Sequence, residues 1–169
     1  LGTFDNAAAR SLVTSAFDVW DAAAGPLRFS EGALLPYDLT AAGIPATNPA
    51  HYLNFFKKSG DGLSPVIFDA DGSIIDDLFG PGARFEIIGV GALDTQISAT
   101  DTRIYEASII INGAFFDGLG LPGSPQDLPS QTAFKAAIVH EIGHFLNLDH
   151  TVLNRELVGD GDPANDVDV

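Results

Sequence analysis

The apolar residues Leu12, Val13, Ala16, Phe17, Trp20 and Ala23 recur at three- and four-residue intervals, so residues 5–24 read as an amphipathic helix with Asp5 as its N-cap. Gly25-Pro26 stops that helix, and residues 27–30 read as the start of a short strand. Residues 31–62 carry Pro36, Pro45 and Pro49 and hold no lasting period, which predicts a long surface excursion with one short helix near 51–58. A buried strand is expected at 65–68, followed by an Asp-rich turn at 69–73 and a second strand-like run at 74–79. After the break at Gly80-Pro81-Gly82, residues 84–93 and 105–116 are rich in β-branched and aromatic side chains and predict two further strands of a mixed sheet. A Gly- and Pro-rich loop at 117–130 leads to a helix capped by Ser130 and running through Phe134, Ile138 and Ile142. From Gly159 onward the chain is polar and Asp-rich, without a hydrophobic period, and reads as a loop.

Length and composition set the frame for these elements. The 169 residues are 46% apolar and 18% charged, which suits one globular domain rather than two or a disordered chain. With 23 acidic against 8 basic residues, the formal charge of -15 repels polyanions and argues against nucleic acid or an anionic membrane as partner. No stretch reaches the roughly 18 to 20 apolar residues of a membrane span. The chain has no cysteine, which removes disulfides, thiolate metal sites and thiol nucleophiles together. Leu1 opens neither with an initiator methionine nor with a signal peptide, so a processed or trimmed end is expected there.

Chemistry concentrates in one window, His140-Glu141-Ile142-Gly143-His144-Phe145-Leu146-Asn147-Leu148-Asp149-His150, which holds all but one of the chain's four histidines. Residues four apart on a helix lie one above the other, so His140 and His144 present both imidazoles on one face. A hydrolytic zinc takes three protein ligands and keeps its fourth position for water, so a third ligand must come from elsewhere. His150 fills that role if the helix ends after His144 and the backbone turns sharply. Asn147 is the residue placed to make the turn, because Asn tolerates the left-handed region best after Gly.

This window resembles the zinc signature of the metzincin metallopeptidases, His-Glu-x-x-His-x-x-Gly-x-x-His, with Asn147 standing where the family has glycine. The opening helix ending in Val19-Trp20, followed by Pro26-Leu27-Arg28-Phe29, is similar to the start of a matrixin, or matrix-metalloproteinase-type, catalytic domain. The resemblance implies an α+β, zincin-like domain over residues 1–169: a twisted mixed sheet with an N-terminal helix and an active-site helix. It implies His140, His144 and His150 as zinc ligands, Glu141 as general base, and secreted or extracellular endopeptidase activity. In that family a peptide substrate lies extended along an edge strand, and residues 108–116 are taken as that edge. The family also has a methionine-containing turn after the third histidine. This chain holds no methionine and stops at Val169, so that turn is expected to follow it, a methionine-free variant being the alternative.

Two Asp clusters invite a calcium reading: Asp69, Asp71 and Asp76 around Gly72, and Asp160, Asp162, Asp166 and Asp168 near the end. The first begins like an EF-hand loop but lacks its third acidic position and closing glutamate, and ordinary Asp/Gly turn chemistry explains it equally well. His51 reads as a surface or packing residue, and Trp20 as part of the first helix's core stripe. Beside the peptidase reading stand a catalytically silent metal- or calcium-binding module of the same fold and a calcium-binding adhesion domain without zinc.

Overall fold

Ala107–Asn112, the sequence Ala-Ser-Ile-Ile-Ile-Asn, is buried at every position and is the central strand of the fold. A strand covered on both faces needs a continuous apolar run rather than an alternating one. The computed structural model describes residues 6–23, 25, 28–56, 58, 60–93, 104–116, 128 and 130–148. The elements are α1 (Asn6–Ala23), β1 (Val66–Asp69), α2 (Ser73–Phe79), β2 (Gly89–Leu93), β3 (Ala107–Asn112) and α3 (Gln131–Phe145), with short 3₁₀ turns at Tyr52–Asn54, Ala83–Phe85 and Gly113–Phe116. The arrangement is α+β with a mixed sheet in the order β1-β3-β2. β1 runs parallel to β3, with Val66 opposite Ile109, and β2 runs antiparallel to it, with Gly91 opposite Ile109.

Each face of the sheet has its own core. Ile109 and Ile111 meet Leu12, Val13 and Ala16 of α1 and Phe134, Ile138 and Ile142 of α3. On the opposite face Ile67 and Ile110 pack with Tyr52, Phe56, Ile74 and Ile75. Burying each of these isoleucines contributes roughly 1.5–3 kcal/mol relative to leaving it exposed. The excursion before β1 and the helix after it therefore cover one face, leaving the other to α1 and α3.

Several sequence expectations change in three dimensions. Residues 108–116 do not form an edge: β3 lies between β1 and β2, and the chain leaves the sheet at Asn112 for a 3₁₀ turn. Asn112 causes that exit, because its buried amide donates to Arg84 and Ile87 carbonyls at 2.9 Å and accepts from Ala114 N–H at 3.1 Å. Residues 74–79 are helical rather than extended. The buried Asp69 carboxylate accepts the Ile75 N–H at 2.9 Å, and Asp71 accepts the Ser73 N–H at 3.0 Å, so the Asp-rich turn caps a helix start. Of residues 84–93, only Gly89–Leu93 pair as strand. No strand begins at residues 28–30: the Phe29 N–H is taken by the Asp21 carboxylate at 2.9 Å, and the Phe29 ring packs 4.9 Å from Phe17. Among the described residues of 51–58, the predicted helix is only the 3₁₀ turn Tyr52–Asn54.

Candidate metal centre

The Ser130 hydroxyl accepts the Ala133 N–H at 3.1 Å and starts α3, as its place before the apolar stripe predicts. Phe134, Ile138 and Ile142 then face the core and fix the helix's rotation. With that stripe buried, His140 is exposed, His144 half-exposed and Glu141 buried. A further tie comes from α1, where the Trp20 indole N–H donates to the Val139 carbonyl at 2.9 Å. A Cβ on Gly143 would sit 3.5 Å from the Trp20 ring, so the helix meets that ring at van der Waals distance. Trp20 thus packs as the stripe predicts, and its polar handle holds the residue immediately before His140.

The two histidines converge. Their Nε2 atoms lie 3.1 Å apart, with ring planes at 86°. Two nitrogens each at 2.0–2.1 Å from one tetrahedral zinc would be separated by roughly 3.3 Å, so the pair fits a shared ion. The His144 Nδ1 lies 2.8 Å from the Leu148 carbonyl oxygen. A carbonyl can only accept, so this nitrogen carries the proton, and the tautomer that leaves the Nε2 lone pair facing His140 is the one this contact selects in a neutral ring.

The backbone turn that brings the Leu148 carbonyl back is the one Asn147 was placed to make. Asn147 has φ 63°, the only positive value at a non-glycine among the described residues. Leu148 N–H bonds the Gly143 carbonyl and Asn147 N–H the His144 carbonyl, both at 2.9 Å, which is the Schellman pattern of helix termination. Asn147→Gly should therefore be tolerated. Asn147→Val should cost about 1–3 kcal/mol by forcing a β-branched residue into the left-handed region. Thermal melts of the two variants check this, and equal midpoints would contradict it.

Glu141 lies against β2. Burial pushes its carboxyl above the usual carboxylate range, while the neighbouring His144 ring and the Gly91 backbone N–H act in the opposite direction. The carboxylate is lodged beside β2, whose Gly89 and Gly91 face α3 at close range. These two glycines were not singled out from the sequence, although Gly-x-Gly in an otherwise β-prone run signals close approach of another backbone.

His150 lies outside the described residues, as do Asp160, Asp162, Asp166 and Asp168. Among the described residues no group of three or more His, Cys, Asp or Glu side chains is arranged to hold a metal ion. The first Asp cluster is engaged in turn and helix contacts. Asp69 and Asp71 cap α2, while Asp76 accepts Gly82 and Arg84 N–H groups at 3.1 and 2.9 Å and pairs with the Arg84 guanidinium at 2.6 Å. His51 is buried, stacks on Tyr52 at 4.9 Å and accepts the Leu53 N–H, a packing role. Compared with protein-family models, with curated proteins and with solved structures, the chain matches none.

Proposed function

We propose that this chain is a zincin-like, metzincin-type catalytic domain that hydrolyses peptide bonds, with His140, His144 and His150 as zinc ligands and Glu141 as general base. One observation carries the reading: two Nε2 atoms 3.1 Å apart on consecutive turns, one ring oriented by the Leu148 carbonyl, beside a buried carboxylate. His140, His144 and His150 would hold the zinc, which when bound would polarise the scissile carbonyl and bring the pKa of its water down toward about 7. Glu141 takes the proton from the attacking water and returns it to the leaving amine, and burial suits it to the first of these steps because a raised pKa makes the carboxylate a stronger base. The His144 Nδ1–H bond to Leu148 holds the ring in the ligating tautomer throughout.

A peptide bound in extended form requires a sheet edge near Glu141. Among the described residues β2 pairs only with β3, which leaves its other edge for strand addition alongside the helix that carries Glu141. Secretion and an extracellular protein substrate belong to the same reading. Incubation with a denatured protein substrate tests it: cleavage is expected, stopped by a zinc chelator and restored by added zinc. Stoichiometric zinc without cleavage would instead identify the silent binding module, and cleavage indifferent to chelator would refute the mechanism.

A further inference from the structure

We propose that Gly89 and Gly91 of β2 are positioning residues for Glu141, holding its carboxylate and its helix in register by the absence of two side chains; this rests on the general-base role proposed above. The two residues are two apart on one strand and therefore share a face, the face turned to α3. Neither has a positive φ, so their backbone conformation is open to any residue, and space is what selects glycine. Alanine is ordinarily the better residue in a strand, because glycine loses more conformational freedom on folding.

The two glycines do different things. A Cβ at Gly91 would come within 2.5 Å of the Glu141 carbonyl oxygen, 2.8 Å of the His144 Cβ and 3.1 Å of the Phe145 nitrogen. Those are atoms on or next to the helix backbone, so relief requires α3 itself to move, together with one histidine. A Cβ at Gly89 would come within 2.8 Å of the Glu141 Cγ and 3.1 Å of its Cδ, as well as 3.0 Å from the Ile110 carbonyl oxygen. Its closest conflict is with a side chain that can swing, so Gly89 sets where the carboxylate sits while leaving the histidines in place.

A double-mutant cycle between Gly89→Ala and Glu141→Ala separates this from a general need for glycine in the strand. In metal-free protein, Gly89→Ala should lower Tm in the parent by several degrees and by less than half as much in the Glu141→Ala background, where Cγ and Cδ are gone. In the zinc-loaded protein, Gly89→Ala should retain full zinc content and KM while kcat falls, by up to about 100-fold for a displacement near 1 Å. Equal Tm losses in both backgrounds would overturn the proposal, as would loss of zinc from Gly89→Ala. Should Gly89→Ala alone fail to fold, a folded double variant supports the contact and an unfolded one refutes it. The melting cycle needs neither zinc nor cleavage, so its outcome is independent of whether the peptidase reading stands.

Discussion

Glu141→Ala is expected to reduce peptide hydrolysis by roughly 10²- to 10⁴-fold, the usual worth of a positioned general base, while zinc content stays unchanged. The two effects separate because Glu141 sits beside His140 in sequence yet lies buried under β2, whereas His140 is exposed. Removing the carboxylate leaves the 3.1 Å approach of the two imidazoles and the His144–Leu148 bond intact. Stability should not fall much either, since burial disfavours the charged form of this group and its loss removes that penalty. Steady-state cleavage of a peptide substrate, with metal analysis of the same sample, checks both halves. Near-parental turnover in the variant would remove Glu141 from the mechanism.

The second large effect concerns the ligands. His144→Ala should weaken zinc binding by more than about 100-fold, beyond what loss of a supporting partner alone costs. This substitution removes both a proposed ligand and the ring that the Leu148 carbonyl orients. His140→Ala and His150→Ala should weaken binding comparably, because a hydrolytic zinc site is built on three protein ligands. His51→Ala is the control: its ring is committed to Tyr52 and the Leu53 N–H, so the variant should lose stability and keep its zinc affinity. Competition titrations against a chromophoric chelator distinguish these outcomes. Equal zinc affinity across all four variants would place the metal elsewhere.

How far these features could be read from the sequence depends on their range. The periodicity of α1 and α3, the Ser130 cap and the left-handed Asn147 are set by neighbouring residues, and spacing alone located them. Position within the sheet is long-range. Ala107–Asn112 and Gly89–Leu93 both read as strands, yet only the β1-β3-β2 order shows that the first is central and the second, among the described residues, is the edge by Glu141. The error over residues 74–79 has a different cause. Ile74, Ile75 and Leu78 fit a buried helix as well as a strand at this length, and the Asp69 cap that decides the matter reaches six residues along the chain. Gly89 and Gly91 carried a usable signal, but the group they make room for lies some fifty residues downstream, on α3.

The peptidase activity proposed for this chain depends on one zinc held by imidazole nitrogens from His140, His144 and His150. X-ray absorption on protein saturated with zinc and then freed of excess metal reads that coordination shell without reference to activity. Ligation by the three histidines predicts one zinc per chain, with a shell of three imidazole nitrogens at about 2.0–2.1 Å and one further light atom. A substoichiometric metal, or a first shell built of oxygens without imidazole scattering, would contradict it.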